Sequence, residues 1–392
     1  MGHIGAKISI VPLIDRLNKY PVGLVDNGKL REILSFLFSE EEAFIASKFP
    51  LEEATLDELR RATGVDAGKL LPLLEKMADK GLVMDLPYNG TTYYLLVPGL
   101  IGFMEFTFMK NRSDLPMDRL AKLMTEYLHD ASDKAMATEF FGSKTQLTRT
   151  LVYEDKIPVT SEITSYENAR EILKNSSYRA VTMCYCRHKK EHMDKKCKKG
   201  APVEGVCMVL GSGARFLVRR GFAEEKSIDE MLAILDSARE FNLTHVTDNI
   251  RNKPSFICNC CRCCCELMAG VQMGFNDGIA KTAFLAKIDA EKCDYCGKCM
   301  AACNAKAIKS AKSQTNGNGS KRHAVIGDEI CLGCAACIPT CEQGAIELIP
   351  RAKKVVPPSR KKNLYISILW EKGRLMPFLK SQLKKKFFNI FR

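Results

Sequence analysis

The sequence has no uncharged apolar stretch of the roughly 18 residues that a membrane-spanning helix needs, and it has a single tryptophan. Residues 1–14 carry one lysine and no small-residue cleavage site after an apolar run, so we expect no secretory signal and a cytoplasmic protein. With 392 residues, 46% hydrophobic and 27% charged, the composition excludes a disordered chain and fits two to three domains.

Most of the chain lacks net charge, although the formal total is +13. Residues 351–392 hold thirteen lysines and arginines against one acid, a net +12, so the preceding 350 residues sum to +1. A chain-wide basic surface is therefore absent, and nucleic acid is not an expected partner.

Cysteine is absent from residues 1–183 and 342–392, and all eighteen cysteines lie between these two regions. Many are adjacent or two residues apart, unlike the dispersed cysteines of a secreted disulfide framework. In a reducing compartment, such dense thiolates indicate bound metal.

A four-cysteine motif occurs twice, and each cysteine recurs 38 residues later, which indicates an internal duplication. The two copies are Cys293-x2-Cys296-x2-Cys299-x3-Cys303 and Cys331-x2-Cys334-x2-Cys337-x3-Cys341. Three thiolates of such a loop hold one [4Fe–4S] cluster, and the fourth points to the other cluster. We therefore expect two [4Fe–4S] clusters, one on Cys293, Cys296, Cys299 and Cys341 and the other on Cys331, Cys334, Cys337 and Cys303. Two structural zinc sites are the alternative.

Residues 288–348 resemble the bacterial two-cluster ferredoxins through these motifs. The family usually has proline after the fourth cysteine, whereas Asn304 and Glu342 occupy those positions here. The departure leaves ligation intact and bears on local hydrogen bonding and on the reduction potential. Residues 310–320 are polar and glycine-rich, and we expect a surface loop there.

Ten further cysteines precede the repeat, and we expect them to bind metal. They are Cys184, Cys186, Cys197, Cys207, Cys258, Cys260, Cys261, Cys263, Cys264 and Cys265. One or two additional iron–sulfur clusters are the first interpretation. The second is a zinc or other thiolate site that includes His188 or His192, and the third is a dithiol redox site or a set of inert buried cysteines.

Alternation over residues 181–186 predicts a strand that places Cys184 and Cys186 on one face. A second strand at 255–258 leads into the cysteine-dense turn, and we expect the two strands to pair or lie side by side. On this basis one metal centre would be shared by Cys186, Cys197, Cys207 and at least one of Cys258 or Cys260.

Residues 150–350 resemble the large 4Fe-4S ferredoxin-type proteins of anaerobic bacteria and archaea. The resemblance rests on Glu167-x2-Arg170-Glu171-Ile172-Leu173, Cys184-x-Cys186-Arg187-His188, the motif from Ile257 to Cys265, and the repeat that follows. It implies an electron-transfer component. Members tend to have glycine where Arg262 stands, and an arginine adds a cation beside thiolates.

Residues 29–97 have the helix–helix–helix–hairpin pattern that resembles a winged helix. Thr55 to Glu58 forms a capping box, Asp66 caps the next helix, and Asn89-Gly90 predicts a tight turn between strands at 82–86 and 91–97. The helix at 66–80 has three acids and three lysines and no arginine or asparagine, which disfavours DNA reading.

Two other segments before the tail have recognisable patterns. Residues 117–141 predict one amphipathic helix that carries His129, which we expect to be structural. The basic stretch 187–199 is either a solvated loop or a docking patch for an acidic redox partner.

In the tail, residues 355–358 should end the folded body. Beyond them, Met376, Leu379, Leu383, Phe387 and Ile390 form one helical stripe among lysines. Docking on a protein surface, contact with the inner face of the membrane, and a nucleic-acid arm are the alternatives.

We therefore expect an α+β chain with a winged-helix-like domain at 1–112, a Cys-rich α/β middle domain at 113–285, a dicluster ferredoxin-like domain at 286–350 and a basic amphipathic tail at 351–392. The expected function is single-electron transfer between redox partner proteins, without independent catalysis, alone or as a subunit of an oxidoreductase complex. A redox-responsive regulator whose winged helix binds DNA is the alternative.

Overall fold

A computed structural model describes residues 10–157, 165–314, 320–353, 356–376 and 378–379. Helices and strands both contribute throughout, as an α+β chain requires. Within the described residues, no helix is both long and apolar enough to cross a bilayer.

The N-terminal region combines five helices with a small antiparallel sheet. The helices are α1 (Ile10–Leu17), α2 (Gly28–Leu37), α3 (Glu40–Lys48), α4 (Leu56–Thr63) and α5 (Ala67–Asp79), and the strands are β1 (Ala54–Thr55), β2 (Val83–Tyr88) and β3 (Thr91–Leu96). The strand order is β1-β3-β2. The predicted caps at Thr55 and Asp66 are confirmed, and Asn89 and Gly90 both adopt positive φ at the predicted turn.

The single helix predicted over residues 117–141 is two helices. After α6 (Met104–Thr107), the chain forms α7 (Met117–His129) and α8 (Ala135–Phe141). Asp130 accepts a hydrogen bond from the Ser132 N–H, and Asp133 accepts one from Ala135. Short polar side chains of this kind compete with helical backbone bonds, which explains the break.

The middle of the chain is built on one six-stranded sheet. Its strands are β4 (Thr148–Thr150), β5 (Arg179–Thr182), β6 (Cys207–Leu210), β7 (Ala223–Glu225), β8 (Thr244–Asp248) and β9 (Phe256–Cys260), in the order β4-β8-β9-β6-β5-β7. All neighbouring strands are antiparallel, so the predicted α/β character of this region is wrong in its strand direction.

Five helices lie between these strands or after them in the sequence. They are α9 (Ala169–Lys174), α10 (Tyr185–Glu191), α11 (Gly211–Arg219), α12 (Ile228–Glu240) and α13 (Glu266–Gln272). Leu173, Met231 and Leu235 from α9 and α12 form one core with the sheet, and Phe216 and Leu217 of α11 belong to another.

The predicted strand at 181–186 ends early, because β5 stops at Thr182 and α10 starts at Tyr185. The Cys184 N–H donates to the Val203 carbonyl of a loop, so the chain has left the sheet before the first cysteine. The expected neighbours β5 and β9 are separated by β6. Cys184 and Cys186 therefore do not share a strand face.

The duplicated region folds as two interlocked halves. Its elements are β10 (Phe284–Ile288), α14 (Lys298–Ala302), β11 (Ile308–Gln314), β12 (Ser320–Ile326) and β13 (Ile346–Pro350). Ile288 pairs with Ile346, and Ile308 pairs with Ile326. Ile326 is the equivalent of Ile288 in the second repeat, and Ile346 is the equivalent of Ile308, so each strand pair joins one repeat to the other. The expected loop at 310–320 is partly wrong, because β11 and β12 extend into it.

The folded body continues past the prolines that were predicted to end it. The carbonyl of Pro358 accepts a hydrogen bond from the Arg251 N–H, and α15 (Lys361–Glu371) follows. Leu364 and Ile368 of this helix are buried against Ile250. Of the predicted stripe, Met376 and Leu379 are exposed, and its last three members lie outside the described residues.

Candidate metal centres

The cysteine loops of the two repeats adopt the same backbone conformation. Left-handed φ values recur at three pairs of positions 38 residues apart: Tyr295 and Gly333 (60° and 72°), Gly297 and Ala335 (80° and 68°), and Lys306 and Gly344 (56° and 58°). Residues with a Cβ rarely adopt this conformation, so the tertiary structure holds both loops in the same turn. The duplication in the sequence is thus a duplication in structure.

Backbone N–H groups point at the fourth cysteine of each motif. Ala307 N lies 3.2 Å from Cys303 Sγ, and Ala345 N lies 3.3 Å from Cys341 Sγ. Hydrogen bonds of this kind stabilise the thiolate form, which is the form that binds metal.

Cys299 lies among thiols from both repeats. Burial raises its pKa to about 11, and the nearby negative charges of Cys293, Cys296 and Cys341 act in the same direction. Three of these four cysteines come from the first motif and one from the second, which is the crossed pattern that the spacing predicts.

Cys337 has the complementary surroundings. Burial raises its pKa well above the usual value, and Cys334, Cys303 and Cys331 are its three strongest charged neighbours. Each set offers four thiols, the donor chemistry of a [4Fe–4S] cluster. The assignment of individual ligands stays a prediction.

Asn304, in the position where proline is usual, connects the ferredoxin region to the middle sheet. Its side chain is buried, and Nδ2 donates to the Asn242 carbonyl at 2.8 Å and to Thr244 Oγ1 at 2.9 Å. Its Oδ1 accepts from the Arg262 N–H at 3.1 Å. Proline could make none of these side-chain bonds. Glu342, at the equivalent position of the second motif, is exposed.

Thr244 reaches one of the ferredoxin cysteines from the middle sheet. Its Oγ1 lies 3.5 Å from Cys334 Sγ. Burial raises the pKa of Cys334 to about 11, and the Thr244 hydrogen bond opposes this effect. Sequence spacing could not reveal this contact, because the two residues are 90 positions apart.

Two cations bind the C-terminal carbonyls of α14. Arg262 Nη1 donates to the Met300 carbonyl at 3.0 Å, and Lys199 Nζ donates to the Ala302 carbonyl at 3.0 Å. Arg262 therefore ties the cysteine-dense turn to the ferredoxin region.

Seven of the ten upstream cysteines line one cavity. Six of them form one connected set around it, Cys184, Cys186, Cys207, Cys258, Cys260 and Cys265, and the seventh, Cys261, belongs to a neighbouring set. Neighbouring thiols interact around its wall in the order Cys207, Cys258, Cys260, Cys265, Cys186, Cys184. The set contains more thiols than the four that one [4Fe–4S] cluster uses.

The local structure explains how distant cysteines meet there. Cys258 and Cys260 alternate on β9 and share a face, and Cys207 begins the adjacent strand β6. Cys186 enters from the first turn of α10, and Cys265 immediately precedes α13.

Arg187 lies between the cavity and the remaining cysteines. It is 1% exposed, its guanidinium donates to the carbonyls of Pro202 and Asn259, and its Nε has no hydrogen-bond partner among the described residues. Burial opposes its charge, yet the thiols of Cys184 and Cys261 raise its pKa. A buried cation with an unused donor fits an anionic, thiolate-bound centre.

The last four cysteines, here called the Cys197 group, form a second set beside these six. They are Cys197, Cys261, Cys263 and Cys264, and their sulfurs all lie within 4.8 Å of one another. Cys261 also borders the cavity, so the two sets adjoin.

The predicted centre that combines Cys197 with Cys186 and Cys207 corresponds to neither set. The structure places Cys197 in a different set, because the loop after α10 carries it to the cysteine-dense turn. Neither histidine of the alternative zinc interpretation belongs to that set. His188 Nδ1 contacts the Phe108 carbonyl, and His192 Nδ1 contacts Asp118, each at 2.8 Å.

A buried group of charges beside the cavity was not predicted. Lys189 and Glu266, each 3% exposed, form an ion pair of 2.7 Å, and His129 also contacts Glu266. Although burial raises the pKa of Glu266, Lys189 and His129 hold it below its usual value. Two cations of the basic stretch, Arg187 and Lys189, are thus interior, so that stretch is not simply a solvated loop. The one signal in the sequence was a charged residue next to Cys265.

Both acids of α5 and the lysine that follows it are paired within the protein. Lys80 at its end binds Glu42 at 2.6 Å, and Arg220 binds Glu75 at 2.7 Å and Asp79 at 2.9 Å. The helix that a DNA-binding winged helix would insert into the groove therefore contacts the rest of the chain through its acids, and nothing in the described residues indicates DNA binding.

One family model matches the chain. It describes a 4Fe-4S dicluster domain and matches residues 292–345. No solved structure matches the chain. The match and the cysteine sets together support an iron–sulfur protein with a ferredoxin-type region at residues 292–345.

Proposed function

We propose that the protein carries single electrons between redox partner proteins, using two [4Fe–4S] clusters in the ferredoxin region and a third iron–sulfur centre in the six-cysteine cavity. The observation that carries the proposal is the pair of crossed four-thiol sets within the span of the dicluster match. When bound, each cubane supplies a one-electron couple with a potential between roughly −700 and +450 mV.

The protein's own residues define the surroundings of these centres. Cys303 and Cys341 receive backbone N–H groups, and Cys334 receives a hydroxyl from the neighbouring region. Hydrogen bonds to sulfur stabilise the more negative reduced state, so such donors favour higher potentials. Burial of Cys299 and Cys337 excludes water and acts the other way.

The third centre rests on the number and placement of the cavity thiols. Six cysteines and the buried cation Arg187 surround one cavity, which suits a polynuclear centre with negative charge. Asn304, Arg262 and Lys199 join this part of the chain to the ferredoxin region. The contacts support a route between the centres within one molecule.

The N-terminal region supplies a surface for proteins rather than for DNA. Its strand order β1-β3-β2 behind α4 and α5 supports a winged-helix-like arrangement. Since Asp85 of β2 binds Arg220 of the middle region at 2.9 Å, the hairpin is anchored to the electron-transfer body. We infer that a redox partner docks on the free side of this region, alone or within an oxidoreductase complex.

Iron and sulfide analysis of anaerobically purified full-length protein tests the proposal. Two cubanes require about eight irons per chain and a third about twelve, since each holds four. After reduction, low-temperature EPR should show at least two interacting clusters. Substituting Cys299→Ala and Cys337→Ala separately should alter different components of that spectrum. An iron content well below eight, or two variants with the unaltered two-cluster spectrum, would contradict it.

A further inference from the structure

The sulfurs of the Cys197 group are too close together for a cluster. Cys197 Sγ lies 3.7 Å from both Cys261 Sγ and Cys263 Sγ, Cys261 and Cys263 are 3.6 Å apart, and Cys263 and Cys264 are 3.7 Å apart. These distances decide which kind of metal centre the four thiols can bind.

A single tetrahedral ion gives the observed spacing. Zn–S bonds of about 2.3 Å in a tetrahedron place the sulfurs about 3.8 Å apart. A cubane puts four irons between its four thiolates and separates their sulfurs by roughly 6 Å. The measured distances agree with the first geometry, and a cubane would force the thiols apart by more than 2 Å.

The other cysteines of the same protein provide an internal comparison. Within the described part of the chain, the Cys197 group is the one set of three or more thiol, imidazole or carboxylate groups whose ligand atoms all lie within 4.8 Å. Neither ferredoxin set meets that limit, and the six cavity thiols do not meet it in any group of three. The close spacing is therefore a property of this set and not of every cysteine cluster in the protein.

The surroundings also fit a closed, charged site. The backbone N–H groups of Lys199 and Ala201 point at Cys197 Sγ, and Gly200 between them has the φ of 69° that such a tight turn needs. Four thiolates and one divalent ion leave a net charge of −2, which the nearby Arg187 and Lys199 offset.

We propose that Cys197, Cys261, Cys263 and Cys264 bind one zinc ion. Tetrahedral sites with four sulfur ligands hold zinc or iron, and a site with no open position is typical of structural zinc. The cysteine-dense run is thereby divided between two centres: Cys258, Cys260 and Cys265 face the cavity, and Cys261, Cys263 and Cys264 hold the zinc.

The zinc would join two segments that no regular secondary structure connects. Cys197 lies in the loop after α10, and its three partners lie in the turn between β9 and α13. Arg262 sits in that turn and binds the ferredoxin region through Asn304 and Met300. The ion would thus fix the turn on which the contact between the two regions depends.

Zinc and iron analysis of the full-length protein, purified anaerobically from medium containing both metals, tests the proposal. We expect one zinc per chain in the unmodified protein. Cys263→Ser should reduce zinc to near zero with iron unchanged. The matched control Cys186→Ser, which alters a cavity thiol, should reduce iron and leave zinc at one.

X-ray absorption at the zinc edge needs no variant and decides the case if Cys263→Ser fails to fold. Four sulfurs at about 2.3 Å are expected. The proposal is overturned if the unmodified protein lacks zinc, if the site holds a single iron, or if Cys263→Ser loses iron while it keeps zinc. Iron content and the reduced-state EPR spectrum test electron transfer separately, so the two proposals can fail independently.

Discussion

At the scale of single residues, one hydroxyl links the middle sheet to a ferredoxin thiol. Thr244 accepts a hydrogen bond from Asn304 and donates to Cys334 at 3.5 Å. Asn304 thereby orients the hydroxyl. Because the amide donates its own proton to the Thr244 oxygen, the hydroxyl proton is free to point at the Cys334 sulfur. The pair forms a path by which the middle region sets the electrostatics of the second cluster site.

We predict that Thr244→Val lowers the reduction potential of the cluster bound near Cys334. One hydrogen bond contributes about 0.5–1.5 kcal/mol, or roughly 20–65 mV for a one-electron couple. Redox titration followed by EPR measures the shift. Thr247→Val is the matched control, because Thr247 lies on the same strand and binds the Phe256 carbonyl instead of a sulfur. Equal potentials in both variants would show that the Thr244 contact has no electronic effect.

The sequence predicted the chemistry of the cysteines better than their grouping. A motif with fixed spacing defines its own loop, so the repeat could be interpreted residue by residue. Cys197 is 64 residues from Cys261, and its partner depends on how a loop closes over the sheet. Asn304 was recognised as unusual, but its partners Asn242 and Thr244 lie about 60 residues away and become visible only in the folded chain.

At the scale of elements, the sequence predicted helix starts and turns correctly where the residues have strong capping or turn preferences. The box at Thr55 and the Asn89-Gly90 turn are formed as predicted. Alternation alone failed at residues 181–186, because the strand stops at Thr182 and a helix begins at Tyr185. Short polar residues divide the helix predicted at 117–141. Hydrophobic periodicity did not reveal this break, because only five residues separate the two helices.

The second cysteine loop approaches β10 closely at Gly333, and a substitution there tests whether this contact holds the loop in place. A Cβ there would lie 2.1 Å from the Phe284 carbonyl oxygen and 2.2 Å from Thr282 Oγ1. We predict that Gly333→Ala destabilises the ferredoxin region by about 2 kcal/mol or more and speeds loss of the second cluster. Anaerobic melting and the decay of visible absorbance measure both effects.

Gly344→Ala is the matched control for that change. Gly344 also has a positive φ, but a Cβ there would meet no atom within 4 Å. Only backbone strain of about 1 kcal/mol is then expected, with little effect on cluster retention. If the two variants behave alike, the close approach to β10 is not what holds the loop.

At the scale of the whole molecule, the C-terminal segment is part of the folded body at least as far as Arg374. Lys372 and Arg374 bind Glu139 at 2.8 and 2.7 Å, which fastens the end of α15 to α8. Trp370 is 72% exposed, and Met376 is 62% exposed. The first half of the basic tail is therefore part of the folded structure, and the amphipathic segment begins after Arg374.

We predict that this last segment contacts anionic lipid. Each lysine near such a surface contributes about 1 kcal/mol, and Lys380, Lys384, Lys385 and Lys386 follow Arg374 in the sequence. Full-length protein should sediment with anionic vesicles in low salt and not with neutral ones. A chain ending at Arg374 is the right comparison, because it keeps α15 and the bonds to Glu139. Should this shorter chain bind anionic vesicles as well as the full chain does, the tail is not the membrane contact, and docking on a protein surface becomes the better explanation.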